Sequence, residues 1–124
     1  MRLLLDTHVL IWWSGGKRLA PTATDAIRAP ENVVLVSAAS IWEAEIKAAS
    51  GRLLLTADLE AEPVQYGFQS LDISAAHAVH AARLPAHHGD PFDRMLVAQA
   101  QLEGLTLVTR DPVFDRYAVA VLRA

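Results

Sequence analysis

A chain of 124 residues, 52% of them hydrophobic, has the length of one domain and enough apolar surface for a core, which excludes an intrinsically disordered polypeptide. The lack of cysteine excludes a disulfide framework, a thiolate zinc site and a cysteine nucleophile, and fits a reducing cytoplasm. A formal net charge of −3 argues against a broad basic face for nucleic acid. It does not argue against a nuclease, because an acidic metal centre lowers net charge while a few arginines hold phosphates. The first residues lack the basic region, apolar run and cleavage site of a secretory signal, and no window approaches ~18 uninterrupted apolar residues, so no membrane span is expected.

In chain order, RLLLD (2–6) reads as a short, fully buried strand. THVLIWWS then supplies about two helical turns, stopped by Gly15 and Gly16. A second helix lies between the prolines of APTATDAIRAP (20–30), with Pro21 in its first turn. NVVLVS (32–37) is a second buried strand, and its last residue, Ser37, is placed to cap the helix AASIWEAEIKAAS, which Gly51 stops. In the stretch 52–70, TADLEAEPVQYG has a helical pattern that Pro63 must break or restart. FQSLDI (68–73) reads as a third strand, and Ser74 caps AAHAVHAARL. After a loop, HHGD, Asp90 and Pro91 take the cap and first-turn positions of PFDRMLVAQAQLE (91–103), which Gly104 ends. LTLVT (105–109) is a buried strand, RDPVFDRY a turn and AVAVL (118–122) a last strand. Strands alternating with helices predict a three-layer α/β/α sandwich with a central, mainly parallel sheet and right-handed crossovers over the single domain 1–124.

Sites in open α/β sheets form beyond the carboxyl ends of the strands. Asp6, Ser37, Thr109 and Asp111 stand at three such ends. Glu43 lies about one and a half turns into the helix capped by Ser37, and helical side chains lean back toward the N-terminus. Asp93 is in the first turn of a helix that must also begin at that edge, since it leads directly into LTLVT. Two carboxylates ~5 Å apart repel by roughly 3 kcal/mol at an effective dielectric near 20. Four converging acids therefore call for a counter-charge, and oxygen ligands without cysteine select Mg2+ or Mn2+.

Each acid also has a local role open to it. Asp6 can cap the helix that follows, Glu43 can pair with Lys47 at i+4, Asp93 can complement its helix dipole and Asp111 can serve a turn. Asp90 is assigned to its helix cap. His8 is expected in a structural or dimer-facing position, His87 and His88 in a solvated loop, and Trp12, Trp13 and Trp42 in the core. Arg94 and Arg110 flank two of the acids and are candidates for phosphate contact.

With LLLDTHVLIWW, VSAASIWEAEIKAASGRL and DPFDRMLVAQAQLEGLTLVTRD in this order, the chain resembles, nearly end to end, the PIN-domain ribonucleases and specifically the VapC toxins of bacterial toxin–antitoxin pairs. The resemblance implies that Asp6, Glu43, Asp93 and Asp111 are the four acidic positions that hold Mg2+ or Mn2+, supported by the hydroxyls of Thr7, Ser37 and Thr109. It further implies cleavage of structured RNA, tRNA or rRNA, leaving a 3′-hydroxyl and a 5′-phosphate. A homodimer and a small VapB-like antitoxin that blocks the site belong to the same expectation. The chain departs from the family's usual WEIAIK by reading WEAEIK, so Glu45 is an extra acid. Helix geometry leaves open whether Glu43 or Glu45 faces the site; motif position favours Glu43. The competing function is a non-catalytic module whose acidic cleft holds a cationic partner peptide. A receiver-type phosphoacceptor would need a strand-end lysine, and this chain has Thr109 and Arg110 there instead.

Overall fold

Alternation within the first strand sets the architecture of the computed structural model, which describes residues 1–124. In β1 (Arg2–Leu5), Leu3 and Leu5 enter one apolar cluster and Leu4 enters another, so the strand is buried on both faces. The first cluster joins these leucines to α1 (Thr7–Ser14) through Val9 and Leu10, to α2 (Pro21–Arg28) through Ala23 and Ile27, and to α3 (Ala38–Ala49) through Ala44. The second joins Leu4 to Leu96, Val97 and Ala100 of α6 (Pro91–Glu103) and to Phe114 and Tyr117. Helix α5 (Ala75–Ala82) packs on α6.

Between these layers β2 (Val33–Ser37), β3 (Gln69–Leu71), β4 (Thr106–Thr109) and β5 (Val121–Arg123) join β1 in one sheet of order β3-β2-β1-β4-β5, every neighbour parallel. This is the α/β/α sandwich expected from the alternating elements. Leu4 pairs with both Leu35 and Leu107, so β1, β2 and β4 reach the same edge together. The ladder extends one residue further where Asp6 N–H donates to Val108 O at 3.0 Å.

Two segments differ from expectation. The helical pattern of 56–67 contracts to one turn, α4 (Glu62–Gln65). Ahead of it, Asp58 Oδ1 accepts from Glu60 and Ala61 N–H at 3.0 and 3.1 Å, an Asx turn that competes with helix. Pro63 restarts the helix in its first turn, where no N–H is needed. The last strand spans 121–123 rather than 118–122, because the chain first seats Tyr117 in the core and folds Val119 N–H back onto Tyr117 O at 2.9 Å.

Candidate active site

The carboxylate of Asp6 is buried at the end of β1. Although it occupies the position before α1, its side chain makes no capping bond. Oδ2 instead accepts from Thr109 Oγ1 at 2.8 Å, and Thr109 Oγ1 in turn accepts from Asp111 N–H at 3.1 Å. The ends of β1 and β4 are thus fastened through this acid, and the capping role is excluded. Burial raises the Asp6 pKa above the ordinary carboxylate value, against the opposing pull of the Thr109 hydroxyl and the His8 charge.

Glu43 is 6% exposed, whereas Glu45 points to solvent, which settles which of the two turns inward. Its Oε2 meets Lys47 Nζ at 3.0 Å, so the i+4 pair is present. Oε1 is buried without any partner. Asp93, half-buried in the first turn of α6, has its pKa pushed up to about 7. Burial is the main cause, the charge of Asp90 adds to it, the hydrogen bond from His88 opposes it, and the charges of Asp6 and Glu43 raise it further. Acids from three separate elements therefore act on one another across the carboxyl edge of the sheet.

Other expected participants are placed less centrally. Asp111 is exposed, and its Oδ1 accepts from Val113 N–H at 2.9 Å, capping the 3-10 turn at Pro112–Arg116. It stays tied to the acids through Thr109. Asp90 caps α6 as expected, with Oδ1 accepting from Phe92 and Asp93 N–H. Ser37 Oγ accepts from Ala39 N–H at 3.0 Å and donates to Gln99 Oε1 at 2.6 Å, so it supports the site from behind. Thr7 is fully buried with its hydroxyl unpartnered.

Unpartnered buried polar atoms are Thr7 Oγ1, Ser14 Oγ, Ser40 Oγ and Glu43 Oε1. All but Ser14 lie in the opening turns of helices that begin at this edge. Leaving each unmade costs about 1–3 kcal/mol, and Glu43 Oε1, the one carboxylate oxygen among them, is the atom a cation would satisfy. An orphaned carboxylate oxygen beside two further acids is a hard-oxygen donor set, and it fits a divalent cation such as Mg2+ or Mn2+. One atom each from His88, Asp90 and Asp93 also lies within 4.8 Å of the others, at the rim of the same group.

Several assignments require correction. Arg94 does not present its guanidinium to a phosphate: Nη1 donates to Pro85 O and His88 O, and Nη2 to Ala81 O and Leu84 O, at 2.9–3.2 Å. Its charge is drawn to carbonyls at and beyond the C-terminus of α5, where the helix dipole is negative. Arg94→Met is expected to lower stability by about 2–4 kcal/mol in urea unfolding, since charge-assisted bonds are lost and the carbonyls are stranded. Arg110 stacks on Trp12, with its guanidinium carbon 4.3 Å from the ring centroid, and its Nε donates to Ala124 O.

Among the aromatic residues, Trp12 and Trp13 are half-buried against the core, but Trp42 is 60% exposed and packs edge-on to Phe92. Turning Glu43 and Ala44 inward rotates Trp42 to the outer side of α3. His8 is exposed against Trp12, and His87 is exposed against Tyr117. His88 stands in the expected loop but is only partly exposed, because its Nε2 lies 2.8 Å from Asp93 Oδ2. Ser40, Gln99 and the contact of His88 with Asp93 were not expected from the sequence. Ser40 precedes Glu43 by three residues on the same helical face, a signal that periodicity carries; the His88 contact has no periodic signature.

The PIN domain family model matches residues 3–120. Ribonuclease VapC22 of Mycobacterium tuberculosis is 33% identical over 113 residues, spanning 88% of this chain and 86% of the relative. In three dimensions the chain is similar to DNA-bound VapBC from Salmonella typhimurium, with TM-score 0.72 and 20% identity over 99% of this chain and 98% of that one. VapBC2 from Rickettsia felis, bound to a promoter DNA fragment, gives TM-score 0.71 at 15% identity, with the same coverage. At those identities the structures establish the shared fold, while the family model and the closer sequence relative establish kinship. The chain belongs to the PIN-domain family, in its VapC branch.

Proposed function

We propose that this protein is the endoribonuclease toxin of a type II toxin–antitoxin pair, hydrolysing phosphodiester bonds of structured RNA, tRNA or rRNA, with a carboxylate-held Mg2+ or Mn2+. The observation that carries the reading is the buried, unpartnered Oε1 of Glu43 beside the buried carboxylate of Asp6, with Lys47 as the one cation paired to either. The ribonuclease name of the VapC22 relative supports the choice of reaction. Asp6, Glu43 and Asp93 would hold the cation directly, with Asp111 completing the set from the rim. A bound divalent cation supplies Lewis-acid polarisation of the scissile phosphate and neutralises charge that develops on it. Thr109 fixes the rotamer of Asp6 by donating to Oδ2, and Ser37 holds the start of the Glu43 helix, while Thr7 and Ser40 keep buried hydroxyls without a partner in the first turns of α1 and α3.

A VapB-like antitoxin is the proposed partner, in line with the VapBC complexes among the structural neighbours, and a homodimer is the proposed toxin assembly. The chain has no helix long and apolar enough to cross a membrane, and a cytoplasmic location is proposed with the function. A non-catalytic module that holds a cationic peptide is the second reading. It draws on the exposed Trp42, packed on Phe92, beside a cavity of about 240 Å3 whose lining carries Glu43 and Asp90 together with Lys47 and Arg52.

Partner-free protein incubated with total bacterial RNA, purified tRNA and ribosomes, each with Mn2+, Mg2+ or chelator, separates the two. Discrete fragments are expected from at least one substrate with metal and from none with chelator. Intact RNA in every substrate, from protein shown to be folded and Mn2+-loaded, would leave the binding module as the reading.

A further inference from the structure

Gln99 lies midway along α6 on the face turned to the sheet, and it is fully buried between Ala98 and Ala100. An amide in such a place costs several kcal/mol unless its polar atoms are bonded. They are. Oε1 accepts from Ser37 Oγ at 2.6 Å, and Nε2 donates to Asp72 O at 3.3 Å while standing 3.4 Å from His77 Nδ1. His77, itself buried, accepts from Ser74 N–H on Nδ1 at 3.0 Å and faces Glu103 Oε1 with Nε2 at 2.9 Å. One side chain of α6 therefore reaches the last residue of β2, the residue after β3 and the helix start at α5. A leucine would fill the same volume without any of this, so core stability alone does not call for a glutamine.

We propose that Gln99 is a positioning residue for the carboxylate site, acting through Ser37. The Ser37 hydroxyl has one hydrogen. Once that hydrogen is given to Gln99, the oxygen's lone pairs are turned to Ala39 N–H, which sets how α3 begins. Glu43 follows Ser37 by six residues on that helix, and Gln99 follows Asp93 by six residues on its own. The Ser37–Gln99 bond thus couples the helix carrying Glu43 to the helix carrying Asp93. Ligand carboxylates must be held to within ~0.5 Å, and losing an outer partner typically weakens metal affinity by about 10–100-fold. The inference rests on the metal-site reading given above.

The test measures Mn2+ affinity by calorimetry and metal-free thermal unfolding for the wild type, Gln99→Leu, Ser37→Ala and the double variant. Leu105→Ala, at the opposite end of β4, serves as a control for general destabilisation. Gln99→Leu is expected to bind Mn2+ about tenfold more weakly and to melt somewhat lower, because the Ser37 hydroxyl and the Asp72 carbonyl lose their partner, whereas the control melts at least as low and keeps its affinity to within about twofold. The double variant is expected to bind no more weakly than the worse single one, because both changes break the same bond. Wild-type affinity in folded Gln99→Leu, or losses that multiply in the double variant, would overturn the inference. Should the leucine variant not fold, Ser37→Ala breaks the bond from its other end, and unchanged affinity there has the same force. Failure of the wild type to bind Mn2+ would instead overturn the metal-site reading, and this inference with it.

Discussion

Asp6→Asn is expected to abolish cleavage, by about 10^3-fold or more under single-turnover conditions, while making the metal-free protein more stable. The two effects come from one property of the site. Asp6 is buried, is pressed by the charge of Glu43 and has no cationic side chain bonded to it. Its partner is the Thr109 hydroxyl, which an asparagine carbonyl oxygen can still accept at the same place. The fold therefore loses little in the exchange and is relieved of a desolvated charge. On the function proposed, catalysis would lose a direct ligand to a cation whose charge stabilisation amounts to several kcal/mol, and ~4 kcal/mol corresponds to roughly three orders of magnitude in rate. Cleavage rate, Mn2+ binding and urea unfolding measured on one preparation check both signs. A variant that is inactive because it is less stable would contradict the assignment, as would one that retains activity.

How far the sequence discloses this arrangement differs from residue to residue. β1 was legible because three consecutive leucines followed by an acid can hardly be anything but a strand buried on both faces with a polar end. The helix starts at Ser37, Ser74 and Asp90 were legible for a local reason: each cap is made by a side chain with a backbone N–H two or three residues on. That Asp6, Glu43 and Asp93 belong to one edge of the sheet followed from those starts, since parallel strands leave their successors little choice of edge. What stayed hidden depends on contacts between elements distant in the chain. Leu59 is drawn into the core from the stretch 56–67, whose helical pattern gives way to the Asx turn at Asp58. His88 reaches Asp93 from a loop, and Gln99 looks like any polar residue in a helix until Ser37 is seen opposite. The choice between Glu43 and Glu45 needed the position of the sheet, because two acids two residues apart point in different directions and the sequence does not say which direction is inward.

The metal-free protein is expected to lose stability as pH rises from about 5 to 8, and saturating Mn2+ is expected to reverse that order. The sign follows from Asp93. Its pKa is raised to about 7 in the folded protein from the ordinary 3.8 of an aspartate, so between those values the folded state binds more protons than the unfolded state. Unfolding free energy therefore falls with pH across that window and levels off above it. Over pH 5–8 the loss amounts to roughly 3 kcal/mol, or a fall in Tm on the order of 10 °C in chelator. Asp6, also raised by burial, acts in the same direction. A divalent cation binds the ionised carboxylates and so favours the folded state most where they are deprotonated. At 1,000 times its Kd it adds about 4.1 kcal/mol at pH 8, more than the loss, and far less at pH 5, where protons compete for the same oxygens. Thermal melts at the two pH values, with chelator and with Mn2+, read both slopes. Asp93→Asn should flatten most of the chelator profile, because it removes the group whose proton is at issue and keeps its shape. A profile that falls equally steeply in that variant would place the strained charge elsewhere and remove Asp93 from the centre of the site.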